Sequence, residues 1–181
     1  MGVDGDHRDR LFARQRAEHG DDFAVSQPVA ACARRLDLDQ VAGLRAVQIF
    51  LVDRQFRLPV YLASGAEEML EACAGVLDGD EDAETCIRRE AEEEMGFRLR
   101  DLRRLYSAYT IPGSVTEKVT FFTARYAPAD RVSAGGGHPD EGEDIEVVEM
   151  TLDDAFTATR DGRIVDAKTI LLIQECVLAK G

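Results

Sequence analysis

Glu90, Glu93 and Glu94 stand three and four residues apart, so on a helix their carboxylates project from one face. Arg89 precedes Glu93 by four and can pair with it. Clustered carboxylates repel one another by roughly a few tenths of a kcal/mol per exposed pair, and by more when partly buried. A helix that needed only solubility would alternate charge signs along that face. This one concentrates carboxylates beside Ile87 and Ala91, which enter a core. Hard divalent cations such as Mg²⁺ remove the conflict, because they take oxygen ligands and keep waters and substrate phosphates as well. The alternative is a solvated acidic face, the usual meaning of a charge run, and composition alone favours it.

The elements that must position these groups are legible around them. Asp80 or Asp82 can cap the helix, and an acidic first turn (Asp82, Glu84) suits the positive end of its dipole. Ala83, Ile87, Ala91 and Met95 recur every four residues as a stripe to bury, and Gly96 follows where a left-handed stop is expected. Upstream, 68–75 alternates enough to be a strand running straight into the glycine before the helix. Residues 46–56 (AVQIFLVDRQF) are rich in β-branched and aromatic side chains and predict another. Arg54 and Arg57 lie at its end, where two arginines can grip a phosphate bidentately or sit in surface salt bridges. Spacing does not choose between them.

The rest of the chain supplies more strands and two helices. Residues 23–33 suggest a strand or short buried segment interrupted by Pro28, and 36–44 have some helical periodicity. A strand is expected around 102–109, a turn at Ile111 to Ser114, and a strong strand over 117–126. Residues 133–142 (SAGGGHPDEG) read as a flexible glycine-rich loop before a strand at 143–150. Thr151 can cap a helix from Leu152, and 166–179 form an amphipathic helix with Ile170, Ile173, Val177 and Leu178 facing the core. Strands around one carboxylate-bearing helix suit a mixed sheet with helices on its faces, an α/β fold.

A length of 181 residues and 45% hydrophobic content accommodate one domain with a real core. A net charge of −13 argues against a general nucleic-acid or membrane-surface binder, though not against nucleotides, since a metal can screen acidic residues from phosphate. Cys32, Cys73, Cys86 and Cys176 are widely spread with no CxxC pair. Reduced structural thiols are therefore a better reading than a disulfide framework or zinc site. His7 and His19 have no partner at ligand spacing, in a polar leader ending near Asp22 that suggests a frayed or weakly helical segment. With no apolar signal core and no run near the ~20 residues of a membrane span, a soluble cytoplasmic protein is expected.

The spacing of the acidic stretch goes beyond composition. Gly75, five residues, Glu81, seven residues, then Arg89-Glu90-Ala91-Glu92-Glu93-Glu94-Met95-Gly96-Phe97 resembles the Nudix box at every defined position. The resemblance implies a Nudix hydrolase: an α/β/α sandwich whose loop–helix–loop holds Mg²⁺ or Mn²⁺ against a pyrophosphate linked to another group. Outside the box, Pro112 lies sixteen residues after Gly96, which resembles Nudix enzymes acting on nucleotide sugars. The stretches at 70–75, 86–91, 112–117, 134–137 and 143–147, with Lys168-Thr169, are similar to the branch acting on GDP-mannose or ADP-ribose. The likeness runs from about Gln48 to Cys176. It divides the chain into an N-terminal segment, 1–45, and a Nudix domain, 46–181.

Carried over by motif, the resemblance implies that Glu90, Glu94 and the Ala74 carbonyl are metal ligands, with Glu93 sharing or orienting the cluster and Arg89 beside it as a catalytic residue. Glu143 fits a further metal-binding glutamate on a distant loop, and Glu141 the general base, although His138-Pro139-Asp140 make that loop depart from the pattern. Arg57 resembles a phosphate-contacting arginine, with Arg54, Pro112 and Glu117 beside the substrate. A homodimer is implied too, but residues 1–45 do not resemble the segment that builds it and stacks the base. Two rivals keep the fold: a non-catalytic nucleotide-sugar sensor, and a housecleaning nucleoside triphosphate pyrophosphatase. The intact glutamates weigh against the first. Pro112 and the triglycine weigh against the second.

Overall fold

Strands rich in Val, Ile, Phe and Ala, apolar on both faces, belong in the middle of a sheet covered on both sides. A computed structural model of the chain describes residues 28–37, 47–138 and 144–179 and shows that arrangement. Strands β1 (Pro28–Asp37), β2 (Val47–Gln55), β3 (Met69–Glu71), β4 (Ala74–Val76), β5 (Arg100–Tyr109), β6 (Lys118–Arg125) and β7 (Glu146–Thr151) form one mixed sheet. Its main path runs β3-β2-β1-β6-β5, with β4 added to β1 and β7 to β2. Among the described strands only the β1–β6 pair is parallel. Thus β1, which precedes residue 46, occupies the centre of the sheet, and Pro28 is its first residue, where no ladder hydrogen bond is lost.

Alternation sorts the side chains into two cores. Val29, Ala31, Leu51, Phe122 and Ala124 pack with Ile87, Ala91 and Met95 from the carboxylate-bearing helix. Ala30, Phe50, Val52, Val119 and Phe121 point the other way, onto the helices that close the chain. The result is the expected α/β/α sandwich.

The carboxylate-bearing helix itself has two parts. After α1 (Leu58–Ser64), helix α2 covers Ala83–Glu90 and is continued by a π-helical turn over Ala91–Met95. Asp82 caps it, accepting from the Thr85 N–H at 2.8 Å, and Gly96 ends it at φ 75°. On the far face, α3 (Leu152–Asp161) is capped by Thr151 and α4 (Ala167–Leu178) by Asp166.

One element is new and three expectations change. The stretch after Arg57 is a helix, α1, with Gly65 as its left-handed stop; it buries no residue, so no amphipathic pattern marked it. The strand expected over 68–75 is two strands, because the chain crosses from β2 to β1 at Ala72 and Cys73. The helical periodicity at 36–44 gives way at Leu36 and Asp37 to β1, with the remainder outside the described residues. Leu178, expected in the core, is 76% exposed, while Leu172 and Cys176 are buried in its place.

The triglycine segment is anchored where it is described. The Gly136 and Gly137 N–H groups donate to the carbonyls of Glu94 (2.9 Å) and Glu93 (3.1 Å), satisfying the open end of the π turn. Gly135 has φ 74°, and a Cβ there would overlap the Glu94 carbonyl oxygen. Gly135→Ala should therefore cost about 1–3 kcal/mol, from a disfavoured backbone angle and a blocked approach. An unchanged urea midpoint would refute this anchoring.

Candidate active site

Strand β4 and helix α2 approach each other so closely that one backbone position between them has no room for a side chain. A Cβ on Gly75 would overlap the Glu90 carboxylate. One residue earlier, the Ala74 N–H donates to Glu94 Oε2 at 3.2 Å. Ala74, Gly75, Glu90 and Glu94 line a cavity of about 420 Å³ together with Arg57, Glu117, Asp78 and Arg89, and with Pro28 and Val76. Arg57 arrives at the end of β2 as the N-cap residue of α1. Glu117, just before β6, accepts from Thr110 Oγ1 at 2.7 Å.

The electrostatics are strained in a way that a cation relieves. Glu94 is 3% exposed, and its pKa is pushed up to about 9 by burial first and then by the charges of Asp53 and Glu90. Asp53 is 1% exposed and raised to about 7, again by burial and then by Glu71. Its Oδ1 accepts from Gln55 Nε2 at 3.0 Å, but its Oδ2 has no hydrogen-bond partner. Among the described residues no three His, Cys, Asp or Glu side chains converge closely enough to hold a metal by themselves. Two carboxylates and a backbone carbonyl are nevertheless a hard oxygen donor set. They fit Mg²⁺ or Mn²⁺, which retain waters and substrate oxygens.

Arg89 organises the outer side of the helix. It meets Glu81 at 3.1 Å, Glu93 at 2.9 Å and Glu90 at 3.0 Å. Hydrogen bonding to Glu81 raises its pKa above the ordinary value against the opposing effect of burial. Glu81 is correspondingly lowered. Glu93 is thus held by Arg89 instead of facing the cavity with Glu90 and Glu94.

The other expected site residues divide by position. Arg54 pairs with Glu146 at 2.6 Å and Glu68 at 3.6 Å, away from the cavity, which is the salt-bridge geometry weighed for it. Pro112 lies in the exposed turn where Ser114 N–H donates to the Ile111 carbonyl. Glu141 and Glu143 lie outside the described residues.

Behind Arg57 lies a second charged layer, of Glu71, Asp53 and Asp166 with Lys168, whose acids carried no assigned role in the sequence. Arg57 grips Glu71 with Nε (2.8 Å) and Nη2 (3.4 Å); Lys168 donates to Glu71 (3.3 Å) and Asp166 (2.8 Å). Asp53 sits directly across from Glu71 in the β2–β3 ladder. The available signal was a carboxylate inside an otherwise apolar strand, at Asp53 in IFLVD and at Glu71 before Ala72 and Cys73.

A carboxylate raised from 3.8 to about 7 binds its proton more tightly when folded. The stability it contributes is full below the unfolded value and is lost as pH rises through the folded one. Metal-free protein should accordingly lose on the order of 2–4 kcal/mol from Asp53 between pH ~4 and ~7. Asp53→Asn should remove that slope in denaturation curves taken across the range. Parallel pH profiles for the two proteins would contradict the placement of Asp53.

With this geometry in view, a model described as the NUDIX domain matches residues 42–172. A protein from Pectobacterium atrosepticum called GDP-mannose pyrophosphatase is 45% identical over 142 residues, covering 76% of this chain and 72% of the relative. One of that name from Yersinia pestis is 50% identical over 121 residues, 66% of this chain and 60% of the relative. Another from Citrobacter koseri is 43% identical over 130 residues, 71% and 66% respectively. The chain therefore spans about two thirds of the length of these relatives.

Proposed function

The chain belongs to the NUDIX domain family, and from that membership we propose that it hydrolyses the pyrophosphate bond of a nucleoside diphosphate sugar. GDP-mannose is the first candidate, by the names of the relatives, and ADP-ribose the second. The products are a nucleoside monophosphate and a sugar phosphate. The observation that carries the proposal is that Glu90, Glu94 and Ala74 share one cavity with Arg57, so a cation site and a phosphate-binding guanidinium face the same space.

Glu90, Glu94 and the Ala74 carbonyl would hold the divalent cation, Mg²⁺ with Mn²⁺ as the alternative, joined by Glu143. When bound, the ion neutralises diphosphate charge and acidifies water. The chain's own residues do the rest. Arg57 presents a planar fork to the diphosphate oxygens. Arg89 fixes the rotamers of Glu90 and Glu93 by pairing with both. Glu141 is the proposed base, accepting the proton as water adds to one phosphorus and the bond to the bridging oxygen breaks. Glu117 and Pro112 border the substrate; Arg54, paired with Glu146 and Glu68, is left out of these contacts.

A homodimer in the cytoplasm completes the proposal. Support for the dimer is an apolar surface at Phe56, Leu58 and Leu62, each more than half exposed. No helix among the described residues is long and apolar enough to cross a membrane. A sensor without catalysis is not favoured, since Glu90 and Glu94 are both in place, and neither is a triphosphate pyrophosphatase.

Purified protein with Mg²⁺ should release GMP from GDP-mannose, or AMP from ADP-ribose, and act poorly on triphosphates. Glu94→Gln should lower kcat ~10²-fold or more with the fold retained. Glu141→Gln should lower kcat more than it weakens metal binding, and Glu143→Gln should do the reverse. Tight binding of a nucleotide sugar without turnover would replace this proposal with the sensor.

A further inference from the structure

Asp53 is an acid in a position suited to an apolar side chain. It follows Leu51 by two along β2 and so shares its face, the one turned toward helix α2. Leu51 there belongs to the core with Ile87, Ala91 and Met95, and Asp53 is just as enclosed, at 1% exposure. In the sheet it has Glu71 of β3 across from it on one side and Val147 of β7 on the other. Over this face β2 packs against the π turn that carries Glu94.

The carboxylate is only half satisfied. Its Oδ1 accepts from Gln55 Nε2, while its buried Oδ2 has no hydrogen-bond partner. Glu71 opposite is taken up by Arg57 and Lys168, but Asp53 bonds to neither. An orphaned buried oxygen forfeits its hydration, and a like charge directly across the ladder adds repulsion. Neither cost has a structural return, because an asparagine would accept the Gln55 bond equally well.

The distinguishing neighbour is Glu94. After burial, the charge of Asp53 is the strongest influence holding the Glu94 carboxyl above its usual range, ahead of that of Glu90. Asp53 lies outside the cavity lining, so it stands behind Glu94 and not beside it. A divalent cation at Glu94 relieves both acids at once. A carboxylate one layer back then strengthens the hold on the ion through its charge.

We propose that Asp53 is a further acid of the cation site, placed behind Glu94 to raise its affinity for a divalent metal ion by charge and not by coordination. This rests on the cation site assigned above to Glu90, Glu94 and the Ala74 carbonyl. It also accounts for an aspartate closing the apolar run 49–52, where packing alone calls for another apolar residue.

The test is Mn²⁺ binding to the full chain without substrate, read from the EPR signal of the free ion, with melting temperature measured in parallel at pH 8. Asp53→Asn keeps the side chain's size and the bond from Gln55, and should raise the Mn²⁺ dissociation constant ~10-fold or more. Asp161→Asn, which removes an exposed charge at the end of α3, should change it less than ~2-fold. Without metal, Asp53→Asn should melt at or above the wild-type temperature. Its gain in melting temperature at one fixed Mg²⁺ concentration should be smaller than the wild-type gain. A folded Asp53→Asn with the wild-type dissociation constant would overturn the proposal, and so would equal weakening in both variants. If Asp53→Asn does not fold, Asp53→Leu, which extends the packing of Leu51, is read against the same limits. Wild-type protein that binds no Mn²⁺ refutes the cation site itself, a result recognised before any variant is compared.

Discussion

Two carboxylates pressed against a strand backbone constrain most of the rest of this molecule. Glu90 occupies the space where Gly75 would carry a Cβ, and Glu94 is buried against the Ala74 N–H. Desolvating a carboxylate without a compensating charge is expensive, which is why Glu94 is pushed so far toward its neutral form. A fold selected only for stability would place apolar groups there. Retaining both acids against the backbone is what the proposed cation site would require.

The surrounding structure distributes charge so that Glu90 and Glu94 face the cavity while most neighbouring acids are taken up by cations. On the solvent side, Arg89 takes up Glu81 and Glu93. On the core side, Arg57 and Lys168 take up Glu71, and Lys168 is shared with Asp166. Arg89 and Lys168 each serve more than one acid. Such pairs contribute little net stability, because desolvation offsets their attraction, but losing one partner is costly. They act chiefly on geometry, fixing which groups point into the cavity.

Backbone features serve the same end. The π turn at Ala91–Met95 widens the helix where Glu94 sits, and such turns are frequent at functional sites. Its exposed carbonyls are capped by the N–H groups of Gly136 and Gly137, so the triglycine segment is fixed to the carboxylate-bearing helix. Glycine is needed there because the two backbones touch.

The local features were legible in the residue order. The cap at Asp82, the stripe of Ile87, Ala91 and Met95, the stop at Gly96 and the spacing of Glu90 and Glu94 are properties of one helix, governed by interactions within a few residues. The strands at 47–55 and 118–125 announced themselves by β-branched and aromatic content. Tertiary structure alone decided the rest. It separated Glu93 from the cavity carboxylates, split 68–75 between two partner strands, and set Arg54 and Arg57, three residues apart, to different tasks. It also brought Lys168 to Glu71 across nearly a hundred residues of chain. Which of several nearby acids a cation meets depends on packing between distant segments, and no periodicity along the chain encodes that choice.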